Sequence, residues 1–227
     1  MSFTSSKEEN RSFQSDPEYR TSLDLRLLRA VIHHSSYPLP KIQQLIRSIA
    51  DYKFFTLVDM PSAYHQVHLP EKYQERICFT NPFGTYKLKR LPQGLKTSAS
   101  HFQAMADSII EDINMPGIYD YIDFIICANS FEETLNKLNK TLQVFKKHNL
   151  TLNLAKCQFH KITVNYLGFR INNHKFFPVT ANIQKINSFP PPTTKCQVKK
   201  FLSLWGFHTP NSFICIYFWT FGSFNVI

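Results

Sequence analysis

Apolar positions along this chain follow two periods, one near 3.6 and one near 2. Ile42, Leu45, Ile46 and Ile49 recur at helical spacing behind Pro38 and Pro40, which predicts a helix over 38–51. Short apolar runs bounded by turn residues predict strands near 53–59, 64–69, 76–80 and 85–89, with Pro82-Phe83-Gly84 joining the last two. A helix is expected over about 96–113, then strands near 118–122 and 124–128. The clearest helix covers 131–148. Ser130 and Glu133 form a capping-box pattern, and Leu135, Leu138, Leu142 and Phe145 make an apolar stripe that is expected to face the core. Pro190-Pro191-Pro192 reads as a stiff linker, after which Thr193 or Thr194 offers an N-cap to a short helix through Leu204.

The two ends break this pattern. Residues 1–18 are polar and rich in Ser and Glu, a composition expected to be disordered. From Phe201 to Ile227 there is no Lys, Arg, Asp or Glu. The apolar run 212–221 is shorter than the roughly 20 residues a bilayer span needs. The tail therefore reads as drifted or out-of-frame sequence rather than a membrane anchor, and both ends are expected to pack poorly.

Composition narrows the class. The 227 residues are 43% apolar, enough for a sizeable core. A net charge of +10 suits a polyanionic partner, although charge alone leaves a merely basic soluble protein open. Five cysteines, Cys78, Cys127, Cys157, Cys196 and Cys215, form no C-x-x-C pair. With an odd count and no signal-like leader, they point to a reducing compartment rather than a disulfide framework. Cys157 and His160 have a metal-like spacing but no second pair to complete a zinc site.

Two aspartates carry the candidate chemistry. Asp59 lies in Leu57-Val58-Asp59-Met60 and Asp123 in Tyr121-Ile122-Asp123-Phe124, each within an apolar run. Carboxylates delivered by two strands can hold divalent cations beside a phosphate. The alternative is that each is a strand-end aspartate taking part in a turn.

Six blocks around this pair decide between those readings. They are Arg20 to Leu28 (RTSLDLRLL), Tyr37 to Ile42 (YPLPKI), Val58 to Val67 (VDMPSAYHQV), Leu91 to Phe102 (LPQGLKTSASHF), Leu152 to Cys157 (LNLAKC) and Tyr166-Leu167-Gly168. In this order and spacing the chain resembles the reverse transcriptases of gypsy-type LTR retrotransposon Pol polyproteins and, more distantly, retroviral ones. The resemblance runs from about Tyr19 to about Phe207.

The resemblance implies an α+β fold of polymerase fingers and palm, the palm a mainly antiparallel sheet backed by helices. It implies a division into a disordered segment (1–18), fingers and palm (19–175), a linker with the start of a thumb or connection (176–207) and the drifted tail (208–227). It implies an RNA-directed DNA polymerase with Asp59 and Asp123 as catalytic metal ligands for two Mg²⁺ (or Mn²⁺) ions. Arg20, Arg26, Tyr64, Gln93 and Lys156 are implied nucleotide-binding residues, and Tyr166, Leu167 and Gly168 lead into the primer grip. Expected partners are an RNA or DNA template with its primer and deoxynucleoside triphosphates, with no membrane. The oligomeric state is left open. The expected location is the cytoplasm, retroelement particles or the nucleus.

One departure matters. The family motif is Tyr-x-Asp-Asp, and Phe124 stands where its second aspartate belongs. Asp120 also replaces an apolar residue. Period-two alternation should point it away from Asp123, buried and in need of a partner or a proton. The expectation is a truncated, impaired copy in which Phe124 occupies the second-carboxylate position and Phe124→Asp raises activity. Two alternatives stay open: a catalytically dead nucleic-acid-binding remnant, and a non-catalytic assembly piece.

Overall fold

Side chains along Phe54–Val58 alternate between two apolar cores, and this alternation organises the molecule. Phe55 and Leu57 face one core, whereas Val58 faces the other. The structure is a computed structural model that describes residues 3–7, 19–32 and 37–208. Its first elements are β1 (Phe3–Lys7), β2 (Tyr19–Leu23), α1 (Arg26–Val31), α2 (Ile42–Ala50) and β3 (Phe54–Val58). Two single turns, α3 (Ala63–Gln66) and α4 (Glu71–Gln74), precede the hairpin β4 (Cys78–Asn81) and β5 (Gly84–Lys87). Next come α5 (Ser98–Ile113), β6 (Ile118–Tyr121), β7 (Asp123–Ala128) and α6 (Phe131–Lys147). The described residues end with β8 (Gln158–Lys161), β9 (Thr163–Tyr166), β10 (Phe169–Asn172), β11 (Lys175–Pro178), α7 (Thr180–Asn187) and α8 (Lys195–His208).

The central sheet has the order β6-β7-β3-β8 and all its pairs are antiparallel. One face packs on α5 and α6 through Phe102, Ala106, Ile109, Val144 and Phe145. The other packs on α2 through Leu45, Ile46 and Ile49, and on the three-stranded sheet β9–β11 through Val164, Tyr166 and Ile171. A sheet covered on both sides needs apolar residues at every position, and Phe124 to Ala128 are all buried. A third cluster, with Leu25, Leu69, Ile77, Leu91 and Leu95, lies beside the β4–β5 hairpin. This is the expected α+β arrangement of an antiparallel sheet backed by helices.

Several local expectations are corrected. The run 64–69 is not a strand: its first part is the turn α3, and His68 makes only an isolated bridge to Arg90. Phe3–Lys7 is a strand paired with β2, although its polar composition predicted disorder. Residues 8–18 and 209–227 lie outside the described residues. No described helix is long and apolar enough to cross a membrane. Helix α7 was not foreseen, whereas α8 has its expected cap: the Thr194 hydroxyl accepts from Gln197 N–H, and Gln197 Oε1 accepts from Thr194 N–H.

Helix α6 has the expected limits and cap, with Glu133 N–H donating to the Ser130 hydroxyl. Its expected core stripe holds only in part: Phe145 is buried and Leu138 packs against the same core. Leu135 and Leu142 are exposed, and the buried face is Thr134, Lys137, Thr141, Val144 and Phe145. The helix is turned because Lys137 has polar work inside. Its ammonium is 2% exposed, donates to the Cys127 carbonyl at 2.7 Å, pairs with Glu133 at 2.6 Å and lies over the Tyr52 ring. Gly117 makes room for this contact. A Cβ there would come within 2.8 Å of both the Cys127 carbonyl and the Lys137 ammonium, and its φ of +80° suits glycine. Lys137→Ala would leave the carbonyl and Glu133 without their cation. It should cost about 2–4 kcal/mol in urea unfolding, against under about 0.5 kcal/mol for the exposed Lys140→Ala.

Candidate active site

The sheet register brings the two aspartates together. The β3–β7 pairs run from Phe54↔Ala128 to Val58↔Phe124, so the next pair in register is Asp59 and Asp123. Opposed side chains in such a pair have Cβ atoms about 4.5–5.5 Å apart. Both aspartates line one cavity of about 220 Å³. Lys156 and Gln158 border it on the β8 side, and Asn165, Tyr166 and Leu167 border it from the β9–β10 hairpin.

Short-range bonds hold the two backbones. Asp59 N–H donates to Cys157 Sγ at 3.4 Å, and Asn153 N–H donates to the Asp59 carbonyl at 3.0 Å. The Tyr166 hydroxyl donates to the Asp123 carbonyl at 2.9 Å. One residue, Ile122, connects the paired Tyr121 and Asp123, with a φ of +76°. A β-branched residue there is a steric outlier, and such strain costs on the order of 1–3 kcal/mol. On the facing hairpin, Leu167 and Gly168 both have positive φ between the paired Tyr166 and Phe169, the pattern of a type I′ turn. Leucine is a strained choice at its first position, so strained tips flank the cavity on both sides.

Burial pushes the Asp123 carboxyl up, and Asp59 pushes it further in the same direction. The Met60 N–H and Lys156 pull the other way. Two hard oxygen donors that repel one another in a half-buried cleft fit a divalent cation, which relieves the repulsion and takes its remaining ligands from water and phosphate. Among the described residues there is no group of three or more His, Cys, Asp or Glu side chains arranged to hold a metal. Cys157 and His160 do not join as a pair: Cys157 bonds Asp59 N–H, while His160 Nδ1 meets the Thr134 hydroxyl at 3.1 Å.

The other candidates are scattered. Of the implied nucleotide-binding set, Lys156 lines the cavity and Arg26, Tyr64 and Gln93 do not. Arg26 is exposed at the start of a helix rather than in a finger strand, and it pairs with Asp24 at 2.6 Å. Arg20 sits in β2 opposite Ser6, its side chain outside the described residues. Tyr64 packs edge-on against Phe102, centroids 5.6 Å apart, with its hydroxyl pushed up by burial. Gln93 is exposed in the turn where Gly94 has a φ of +96°. Gln158 and Asn165 line the cavity without having been singled out, because polar strand residues outside the six blocks carry no signal of their own.

Between residues 11 and 171 the sequence matches the family described as reverse transcriptase (RNA-dependent DNA polymerase). The chain belongs to this family. Members of the family generally use divalent metal ions. Its relatives include the Transposon Tf2-3 polyprotein of Schizosaccharomyces pombe, 30% identical over 184 residues, and the Tf2-7 polyprotein, 29% identical over the same length. Each alignment covers 81% of this chain and 14% of the relative, so the chain spans about a seventh of the polyproteins it matches. Among solved structures, the foamy viral protease-reverse transcriptase dRH in complex with double-stranded DNA has a TM-score of 0.74 at 21% identity. That match covers 86% of this chain and 34% of the other. The form in complex with an RNA/DNA hybrid has a TM-score of 0.71 at 22% identity and covers 86% and 26%. At this identity the likeness speaks for the fold.

In this reverse transcriptase domain Phe124 does not take a ligand position. Asp120 pairs with Phe124 across the hairpin and Tyr121 pairs with Asp123, so Phe124 and Asp123 point to opposite faces. Phe124 is fully buried on the helix side, in edge-on contact with Phe145 at 4.9 Å. Phe124→Asp, expected to raise activity, would put a carboxyl among Val58, Phe102 and Phe145. It should destabilise the chain by about 3 kcal/mol or more in urea unfolding, and Phe124→Leu should cost about 1 kcal/mol.

Proposed function

We propose that this chain is the RNA-directed DNA polymerase domain of a retrotransposon polyprotein, extending a primer with deoxynucleotides on an RNA or DNA template. The observation that carries the reading is the Asp59–Asp123 pair, opposed at the open end of the central sheet in a chain of this family. Asp59 and Asp123 would hold two Mg²⁺ or Mn²⁺ ions, which supply charge neutralisation at the phosphate and a more acidic primer hydroxyl. Lys156, beside Asp123, adds a positive charge suited to a triphosphate oxygen. Tyr166 fixes the Asp123 backbone, and the Leu167-Gly168 tip stands where a primer strand would be gripped. Tyr64, braced by Phe102, is suited to packing under the incoming sugar. Arg20, Arg26 and Gln93 belong to the same proposal as outer contacts made when substrate draws the fingers inward.

A second reading has its own observation. With two aspartates at the cavity and no cluster of three acidic, His or Cys side chains among the described residues, the site holds little negative charge, and a copy that binds primer–template without extending it follows. A site short of one donor worth several kcal/mol runs the chemistry roughly 10²–10³ more slowly, since each 1.36 kcal/mol is tenfold. The expected result is slow Mg²⁺-dependent incorporation on a primed RNA template that Asp59→Asn abolishes. Incorporation unaffected by Asp59→Asn would sink the assignment. Salt-sensitive primer–template binding with no incorporation at all would establish the binding remnant instead.

A further inference from the structure

Asp120 is 3% exposed, and its Oδ2 has no hydrogen-bond partner. Its Oδ1 accepts from Gln103 Nε2 at 2.7 Å. The same Gln103 amide donates to Asp107 Oδ1 at 2.9 Å, and Asp107 Oδ2 accepts from the Tyr37 hydroxyl. A chain of four side chains therefore runs from β6, across α5, to the segment that leads into α2. The far end of β6 is the Ile122 tip that precedes Asp123.

The groups that bear on Asp120 come from each element around it. Asp107 lies on α5, Asp123 on β7 and Tyr166 on β9. Tyr37 acts from ahead of α2, with Glu111 near its hydroxyl. None of these is a cation. Only the Gln103 amide and the Ile122 N–H favour a charged Asp120, while burial and the two aspartates oppose it.

We propose that Asp120 is held as a neutral carboxylic acid and serves as a positioning residue, tying the hairpin that carries Asp123 to α5 and Tyr37. The geometry gives the reason. Protonated at Oδ2, the group keeps Oδ1 as a carbonyl acceptor for Gln103 and carries no charge. Ionised, it places charge on a buried oxygen with no donor, within the field of two other carboxylates. The carboxyl is accordingly pushed up to about 7. An unfolded aspartate releases its proton near pH 4, so the folded chain holds a proton that the unfolded chain has lost. Stability from this group is full below about pH 4, declines as pH rises to about 7, and is level above that. The tie is thus tuned to loosen within the neutral range.

Three measurements test this, and only the third rests on the proposed metal site. The infrared spectrum of the wild-type chain at pH 6 should show a protonated-carboxyl C=O band that fades near pH 7 and is missing in Asp120→Asn. No such band overturns the proposal. In thermal melts from pH 4 to 8.5, Asp120→Asn keeps an acceptor for Gln103 but cannot ionise, so its advantage over wild type should grow by several degrees between pH 5 and 8. A pH-independent difference overturns the proposal. Mn²⁺ affinity, read by electron paramagnetic resonance at pH 6, should fall about tenfold in Asp120→Leu and return in Asp120→Asn. Equal affinity in all three overturns the positioning role. Absence of Mn²⁺ binding to wild type overturns the metal reading, while the infrared band and the melts still decide the proton.

Discussion

The pairing of β3 with β7 is the constraint on which the rest depends. Five matched pairs, Phe54↔Ala128 to Val58↔Phe124, fix which side chains point to the helices and which to the second sheet. A slip of one residue would exchange the two sets. Phe55, Leu57, Ile125 and Cys127 would lose the α2 side, and Val58, Phe124 and Ile126 would lose α5 and α6. The same register places Asp59 opposite Asp123. The packing of two apolar cores and the meeting of two carboxylates are therefore one requirement, and the site needs no separate device to bring together residues distant in sequence.

Polar side chains inside this framework do specific jobs. Lys137 neutralises a carbonyl and a carboxylate where β7 ends and α6 begins. Gln103 spends both amide protons on two carboxyl groups, and Tyr166 supports the backbone of Asp123 from the opposite face. The hairpin that carries Asp123 is thereby held from both sides, by α5 through Asp120 and by β9 through Tyr166. Such bracing suits a tip whose Ile122 backbone is strained.

Much of this was legible in the sequence where period and local chemistry agree. Apolar runs marked β3, β6 and β7, and the Ser130–Glu133 cap marked the start of α6. Alternation placed Asp120 and Asp123 on opposite faces. Legibility failed where tertiary contacts overrode local pattern. Leu135 and Leu142 suggested a core stripe, but the demand of the Cys127 carbonyl for a donor turned Lys137 inward. Val67 and Leu69 looked strand-like, yet the chain after Asp59 turns through α3 so that Tyr64 can meet Phe102. Phe124 looked like a failed ligand because a motif is read as a line of letters, while the pleat separates neighbouring letters by a whole sheet. Gln158 and Asn165 reach the cavity only through pairings that no local pattern announces.

The central position of β3 has a consequence for how the chain is made. This strand is synthesised well before its neighbours β7 and β8, which begin at residues 123 and 158. A nascent chain therefore carries Phe54-Phe55-Thr56-Leu57-Val58 with both edges unpaired until residue 123 and one edge unpaired until residue 158. Long-range antiparallel closure of this kind is slow, and an apolar strand waiting for it is a target for wrong partners, other copies of itself included. The pairing that gathers the aspartates thus makes folding late and all at once, with the cavity completed only when β8 and the β9–β10 hairpin arrive.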